Sequence, residues 1–477
     1  MNDKLFKGST AYYINCLIVL LLMFGFRFIP PIGAITEIGM GILGVFLGLV
    51  YGWITVGMLW PSLMGLLAFG FTGYSSISDT MIAGFGSNNV LVLIMIFGIL
   101  GLLESAGLTE YIALKIVDFK VGRGRPWGLI YLLMLAAFVL VAVTCSWASA
   151  LFVWAIFYKI VENNGIEKGK YTVYVISSIM VATILGGQVF PFSVPVILMT
   201  GAFTNTVGVE AAPSFVPYVV WMIVICQLII VAWLAFGKYI LKIPAFEVNT
   251  ESIEKAKNLN SYQKIVLCFF AGFLFSLILA SVLPTAWVFT KTLNGFGVKG
   301  LATLVLAVII MFQFAEGKSF NEYMKRTSWE LIIIMAVITV LSNAVSSDTT
   351  GIMSTLSKAL SPVFVSKGNI VFVILITLIP LVLTNVLNNL VIGFLFVPIA
   401  ATLCVTLGIN PTVIFVMMML LTSCALATPA GCAPAAMLFG NTEWVTGSQA
   451  AKYGVLFAVI AEIITLVIGI PLGSLLF

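Results

Sequence analysis

Eleven apolar runs of roughly membrane-spanning length dominate the chain and restrict what it can fold into. Charged residues make up 9% of the 477 residues and apolar residues 61%, a balance outside the range of soluble globular proteins. About 20 apolar residues in a helix cross the hydrocarbon core of a bilayer, so we predict an all-α polytopic membrane protein. The predicted spans are 11–29, 34–52, 54–72, 90–106, 172–204, 214–237, 264–283, 299–315, 329–345, 411–440 and 453–476.

Two further apolar stretches, 127–158 and 370–404, carry a polar cluster at their centres. Non-helical backbone at membrane depth survives only where protein or a water-filled cavity satisfies its polar groups. We therefore predict that each stretch is a re-entrant helical hairpin with a polar tip, rather than one more span.

The basic residues test this topology independently, because cytoplasmic loops collect Lys and Arg. With a cytoplasmic N-terminus, an external C-terminus and two hairpins that return to their side of entry, 18 of the 23 basic residues (23 − 5) fall on the cytoplasmic side. This predicts a multi-pass protein of the plasma (inner) membrane. The net charge of +5 follows from the same asymmetry and gives no support to nucleic-acid binding. The five external basic residues are Arg27, Lys291, Lys299, Lys358 and Lys367.

The same pair of polar elements occurs twice, since 385 − 146, 434 − 195 and 440 − 201 all equal 239. A duplicated pair of broken, polar segments indicates a transporter built from inverted repeats, with its site between them. The predicted division is 1–89 for N-terminal scaffold helices, 90–240 for repeat 1 with a hairpin entered from the cytoplasm, 241–263 for a cytoplasmic linker, and 264–477 for repeat 2 with a hairpin entered from outside.

Helix-breaking residues interrupt 172–204 and 411–440, so both are predicted to be broken helices. They are Gly186, Gly187, Pro191 and Pro195 in the first, and Pro429, Gly431 and Pro434 in the second. A half-helix that ends inside a bilayer presents free N–H groups at one end and free carbonyls at the other, which can hold anions and cations respectively. The alternative is a packing kink. Close backbone approach is expected at Gly431 and Gly187, but not at Gly454 in the closing helix.

Hydroxyl and amide side chains cluster at both predicted tips. Their oxygens suit sodium, and they also donate hydrogen bonds to a carboxylate. Each can instead hydrogen-bond between helices, and Trp147 fits a packing role as well as a cavity wall. The tip residues predicted to bind substrate are Ser146, Trp147, Ser149, Asn385, Asn388 and Asn389. Sodium is predicted at Ser146, Gly187, Asn385 and Gly431.

Several functional classes are disfavoured by the sequence. The chain has no histidine, which excludes a His-based proton relay, and its seven scattered cysteines indicate neither a disulfide framework nor a zinc site. It has no P-loop, hydrolase triad or metalloenzyme motif, so we predict a transporter and not an enzyme. Acidic residues in or beside apolar segments are often functional, and Glu462 lies deepest and is a candidate for proton coupling. These acidic residues are Glu104, Glu330, Glu443 and Glu462.

Four features resemble the divalent anion/sodium symporter family of the ion transporter superfamily. The stretch 85–113 looks like that family's helix-four region, and Ser328-Trp329-Glu330-Leu331 is similar to the counterpart in the second repeat. The stretch 428–434 resembles the family's Thr-Pro-x-Gly-Thr-Pro-Pro-Asn signature, and the tips occupy the places of its two Ser-Asn-Thr motifs. The resemblance covers nearly the whole chain.

The resemblance implies a scaffold domain and a transport domain that moves like an elevator, within a homodimer. It also implies a sodium site near each tip, substrate carboxylates held by the tip motifs, and a place at the site for Thr428 and Pro434. Both tip motifs depart from the family pattern, as Cys145-Ser146-Trp147 and Thr384-Asn385-Val386, and the signature's final Asn is Ala435. These departures favour a smaller or more apolar organic anion, or a different ion stoichiometry.

Together these features predict secondary transport of a small, di- or tricarboxylate-like organic anion, with sodium as the coupling ion and no organic cofactor. One alternative is a cation/proton exchanger, or a proton-coupled transporter, on the same fold. Another is a passive channel or sensor.

Overall fold

The computed structural model describes residues 10–122, 124–246, 258–315, 327–355, 358 and 368–477, and its described part contains helices and no strand. Most of the predicted linker, 247–257, lies outside the described residues. The helices with fully described bounds are α1 (Thr10–Gly25), α2 (Glu37–Thr55), α3 (Leu59–Phe69), α4 (Ile77–Phe85), α5 (Asn88–Ser105), α6 (Leu108–Val117), α7 (Pro126–Thr144), α8 (Ser149–Asn163), α9 (Lys170–Gly186), α10 (Val194–Val207), α11 (Phe215–Ala235), α12 (Ser261–Val282), α13 (Val288–Ala315), α14 (Trp329–Ser346), α15 (Asn369–Thr384), α16 (Asn389–Leu407), α17 (Pro411–Ser423), α18 (Ala433–Gly440), α19 (Gly447–Ile464) and α20 (Ile470–Leu476).

Within the described residues, ten helices are long and apolar enough to cross a membrane, one fewer than the eleven predicted spans. Two of the ten, α7 and α16, belong to the predicted hairpins, whereas the predicted spans 54–72, 172–204 and 411–440 contain only shorter helices. Breaks at Gly and Pro shorten the last two, and α3 has 11 residues. Length and hydropathy alone therefore do not separate spans from hairpin arms.

Two helices, α9 and α17, are buried on every side. All residues from Tyr171 to Gly186 in α9 are buried, as are all from Val413 to Ser423 in α17. A helix that is apolar all round belongs in the interior. Each of these central helices ends where its stretch breaks, and α10 and α18 continue the two stretches after the breaks.

Each predicted hairpin is a helix pair joined by a four-residue turn. The first pair is α7 and α8 around the turn 145–148, and the second is α15 and α16 around the turn 385–388. Cys145 has a φ of +48°, a left-handed conformation that lets α7 end and the chain reverse. These two turns are called tip 1 and tip 2 below.

The two halves of the chain interlock through α10 and α16, which pack against each other. A Cβ built on Gly393 of α16 would overlap the side chain of Met199 in α10. The Thr422 hydroxyl also lies 3.7 Å from the Met199 sulfur. The close approach at Gly393 brings the hairpin of one half beside the broken helix of the other.

Candidate functional site

A cavity of about 610 Å³ lies between the two tips and the two helix breaks. Two tip segments, two break segments and the ends of α5 and α14 form its walls. Among the predicted residues, the cavity brings together Ser146, Trp147, Gly187, Asn388, Asn389 and Pro434. Its lining does not include Ser149, Asn385, Thr428 or Gly431.

Four helices begin at this cavity. Ala148 immediately precedes α8, and Val194, Asn389 and Ala433 are the first residues of α10, α16 and α18; all four line the cavity. A helix N-terminus carries a partial positive charge worth about 0.3–2 kcal/mol to a nearby anion. Four such ends around one space make a ready-made anion site.

The charged side chains of the cavity wall are acidic. Glu104 and Glu330 line it, and the described lining residues include no Lys or Arg. With no basic side chain in the described lining, the groups there that favour an anion are helix N-termini, and a multiply charged anion bound beside Glu104 and Glu330 needs accompanying cations for balance.

Tip 1 is held by hydrogen bonds within its own turn. The Thr144 and Ser149 hydroxyl oxygens are 2.8 Å apart, and the Ser146 N–H donates to the Thr144 hydroxyl at 3.3 Å. Ser149 is buried in this network, away from the cavity. Ser146 and Trp147 are left to face the cavity.

Trp147 packs against the first break. A Cβ built on Gly187 would overlap the Cη2 and Cζ3 atoms of the Trp147 ring. Because only glycine leaves room for the ring, tip 1 and the end of α9 approach each other at this pair.

Tip 2 is fastened to the second break by Asn385. Its amide Nδ2 donates to the carbonyls of Leu381 (2.8 Å) and Cys424 (3.1 Å), and its Oδ1 accepts from the Ala427 N–H at 2.8 Å. The Thr428 hydroxyl donates to the Asn385 carbonyl at 2.7 Å. Asn385 and Thr428 therefore bind each other's segments.

Asn388 of tip 2 and Asn389, the first residue of α16, line the cavity. The Asn388 side chain caps α16 by accepting from the Leu390 N–H at 3.0 Å. The Asn389 N–H donates to the Gly431 carbonyl at 2.8 Å. A Cβ on Gly431 would lie 2.6 Å from the Ala425 carbonyl oxygen and 3.0 Å from that of Thr384, so the backbone needs glycine here.

The expectation that Gly454 would tolerate a side chain is wrong. A Cβ at Gly454 in α19 would overlap the carbonyl of Leu426 in the second break. The closing helix packs on the break itself, a contact between segments far apart in sequence that helical periodicity does not reveal.

The predicted sodium ligands are neutral oxygens, and their chemistry fits a hard cation. In the first half of the chain, Ser146 and Gly187 both lie at the cavity, near the C-terminal ends of α7 and α9. In the second half, Asn385 Oδ1 and the Gly431 carbonyl each accept one N–H, which leaves each oxygen a second lone pair. No cluster of three His, Cys, Asp or Glu side chains suited to a metal occurs in the part of the chain that the structure describes.

The four acidic residues have different surroundings. Glu104 and Glu330 lie at the cavity, as described above. Glu443 is exposed and pairs with Lys168 at 2.6 Å. Glu462 is 7% exposed and accepts from the Thr377 hydroxyl at 2.8 Å, and it does not line the cavity.

Two cavity residues, Gln188 and Ser193, were not predicted. Gln188 is 1% exposed and Ser193 is 3% exposed. Both amide atoms of Gln188 and the Ser193 hydroxyl have no hydrogen-bond partner among the described residues. Both residues belong to the first break, but neither residue type marks a site by itself, so only the three-dimensional arrangement identifies them.

Comparison with known proteins agrees with this architecture. The family model described as CitMHS, citrate transporter, matches residues 49–422, more than half of the chain. The chain is 23% identical over 263 residues to the sodium-dependent dicarboxylate transporter SdcS of Staphylococcus saprophyticus. That match covers 52% of this chain and 48% of SdcS, so the chain spans about half the length of this relative.

A solved structure shares the fold. The Alcanivorax borkumensis YdaH transporter superposes with a TM-score of 0.57 at 12% identity, over 83% of this chain and 86% of YdaH. The resemblance to the divalent anion/sodium symporters is thereby confirmed. The chain belongs to the citrate transporter family and is a multi-pass membrane transporter, not an enzyme.

Proposed function

We propose that this chain is a sodium-coupled secondary transporter of a small carboxylate anion. The observation that carries the proposal is the convergence of four helix N-termini on one cavity of about 610 Å³ whose described lining has no basic side chain. Such a site favours negative charge through backbone dipoles and leaves full neutralisation to bound cations.

The anion lies between the tips in this proposal. Ser146 and Asn388 supply side-chain oxygen and amide groups from the two sides, and Asn389 adds a second amide from tip 2. The start of α18 at Pro434 and Ala433 closes the space opposite tip 1. Thr428 and Asn385 hold the second break and tip 2 in register, which positions the groups that touch the anion.

Sodium coupling is supported by charge balance and by the sodium-dependent relative. A cation held at Ser146 and the Gly187 carbonyl would sit beside tip 1. A second cation near Asn385 and Gly431 would sit beside tip 2. Because the anion gains most from the cations when both are present, binding of one favours binding of the other.

Alternating access in this proposal uses the two inverted repeats as an elevator within a homodimer of the plasma membrane. With the N-terminus in the cytoplasm, Met58, Glu104 and Glu330 lie at cytoplasmic helix ends. The cavity then opens inward. Tips 1 and 2 enter from opposite faces as re-entrant hairpins.

Orientation can be tested with single cysteines at two exposed positions, Asn163 at the end of α8 and Asn294 in α13, in a cysteine-free background. Asn163→Cys should react with an impermeant reagent only from the cytoplasm, and Asn294→Cys only from outside. The reverse pattern, or reaction of both from one side, would reject the proposed orientation.

A proton-coupled transporter remains the second candidate because Glu462 is a buried carboxyl group. Its Oε2 has no hydrogen-bond partner among the described residues. Its position outside the cavity separates it from the proposed anion site.

Transport itself is tested in proteoliposomes with labelled succinate, malate and citrate. Uptake should accumulate under an imposed sodium gradient and not under a proton gradient alone. Accumulation under the proton gradient would favour the second candidate. Flux that equilibrates without accumulation would identify a channel, and no carboxylate flux or binding would reject a carboxylate substrate.

A further inference from the structure

The first break contains polar groups that the rest of the protein leaves unsatisfied. Gln188 Nε2, Gln188 Oε1 and Ser193 Oγ are all buried without a partner among the described residues, and both residues line the cavity. Burying an amide or hydroxyl group without a partner destabilises a protein. Each such group calls for an explanation, and a ligand in the adjoining cavity supplies one.

Ser193 occupies the N-cap position of α10 but does not act as a cap. A serine at this position normally accepts from an N–H of the first turn, yet the Ser193 side chain makes no such bond. Pro195 has no N–H at the second helical position, so one usual donor is missing. The hydroxyl is therefore left without a partner from the helix that it precedes.

Gln188 is held in place by its main chain. The Tyr218 hydroxyl, on α11, donates to the Gln188 carbonyl at 2.9 Å. This bond leaves the whole side-chain amide uncommitted, with its donor and acceptor in the same wall as the start of α10.

The ligand must satisfy both kinds of group. A carboxylate accepts hydrogen bonds only, so it can pair with Gln188 Nε2 and the Ser193 hydroxyl but leaves Gln188 Oε1 without a donor. The missing donor is an O–H or N–H on the ligand. An ammonium group is disfavoured because neither Gln188 nor Ser193 carries a counter-charge, and burying an unpaired charge is costly. A neutral hydroxyl beside a carboxylate fits all three atoms.

We infer that Gln188 and Ser193 form a subsite that selects hydroxycarboxylates, with Gln188 binding the substrate hydroxyl and Ser193 the adjoining carboxylate. This inference rests on the proposed function and narrows its substrate class. The departures of the tips from the family pattern favoured a smaller or more apolar anion. The subsite favours a more polar one instead, because Gln188 and Ser193 of the first break supply polar groups that tip 1 lacks.

The test uses pairs of anions that differ by one group. In proteoliposomes with a sodium gradient, unlabelled malate, succinate and aspartate compete against labelled malate, and citrate and tricarballylate compete against labelled citrate. A site built to bind a hydroxyl rejects the analogue without it, here by on the order of tenfold or more in half-inhibitory concentration. Malate should therefore inhibit uptake at a lower concentration than succinate or aspartate does, and citrate at a lower concentration than tricarballylate.

Variants assign the roles. Gln188→Met should reduce both preferences to about twofold or less, since methionine offers no amide. Ser193→Ala should weaken the binding of malate and of succinate by similar factors, seen as similar increases in their half-inhibitory concentrations. The matched control is Gln227→Met, because Gln227 lies outside the cavity lining and accepts from Tyr131 at 3.2 Å; it should keep the wild-type preferences.

Two further measurements separate a ligand role from a structural one. Gln188→Met removes an unsatisfied buried amide, so the ligand-free variant should be at least as thermostable as wild type. Malate should raise the melting temperature of the solubilised protein at lower concentration than succinate does, and this difference should vanish in Gln188→Met.

Distinct results would overturn distinct claims. Carboxylate uptake with no hydroxyl preference, a preference for aspartate, or a preference that survives Gln188→Met would reject the subsite and leave the proposed function standing. A loss of sodium dependence with unchanged anion preference would make Gln188 a cation ligand and also reject the subsite. Absence of any carboxylate binding or uptake would reject the proposed function itself.

Discussion

Trp147 and Gly187 are in direct contact, so the tip of the first hairpin rests on the last turn of the central helix α9. The two residues are 40 positions apart (187 − 147) and belong to different predicted elements. The contact fixes where tip 1 stands relative to the start of α10, and thus the width of the cavity between them.

Gly187→Ala should lower uptake by about tenfold or more, because overpacking a close contact typically costs 1–3 kcal/mol and the Trp147 ring must move. Gly272→Ala is the control, since its Cβ would meet nothing within 4 Å. Uptake is measured at matched amounts of protein in the membrane. Adding Trp147→Ala should lessen the effect of Gly187→Ala; additive losses would show that the contact does not matter.

Gly431→Ala is predicted to damage transport far more than Gly440→Ala. A Cβ on Gly431 meets two backbone carbonyls, which cannot move aside as a side chain can, whereas one on Gly440 meets nothing within 4 Å. We expect a loss of about 1–3 kcal/mol in stability, visible as a lower melting temperature of the solubilised protein. Equal behaviour of the two variants would contradict the close approach.

Asn385→Ala should destabilise the fold, whereas Asn389→Ala should mainly impair transport. The first change removes three hydrogen bonds from the amide side chain and leaves buried backbone groups unpaired, at about 1–3 kcal/mol each. The second keeps the backbone bond from Asn389 to Gly431. Thermal unfolding and uptake, measured on both variants, separate the roles; a stable Asn385→Ala would show that these bonds do not fasten tip 2.

Glu462→Gln should leave sodium-driven uptake unchanged, because a glutamine oxygen can still accept from Thr377 and the residue lies outside the cavity. The measurement is uptake under separate sodium and proton gradients. Loss of accumulation in this variant, with normal abundance and melting temperature, would favour proton coupling instead.

The membrane fold could be predicted because its signals are local. Apolar runs mark the long helices, and Gly186-Gly187 lie at the end of α9. The short helices α4 and α6 escape such a pattern because they mix polar and apolar residues and neither is long enough to span a membrane.

The roles of individual site residues depend on contacts between distant segments. Asn385 and Asn389 carry the same amide group. The Asn385 amide, however, is hydrogen-bonded to the backbone of Cys424 and Ala427 and so has a structural role. Gln188 stands out because its buried amide has no hydrogen-bond partner among the described residues. This property depends on the surrounding helices and cannot be inferred from the sequence. The sequence therefore predicted the segments that form the cavity better than the individual side chains that face it.

The cavity's attraction for anions belongs in this proposal to the backbone, because α8, α10, α16 and α18 begin there and the described lining has no basic side chain. Backbone dipoles do not titrate, so their contribution to the attraction for anions should stay constant with pH, and any pH dependence should come from the substrate or from Glu104 and Glu330 in the wall. Replacing a single side chain leaves these backbone dipoles in place. Descendants of such a chain are therefore free to exchange the residues of the tips, and with them the shape of the anion that fits, while keeping their preference for negative charge.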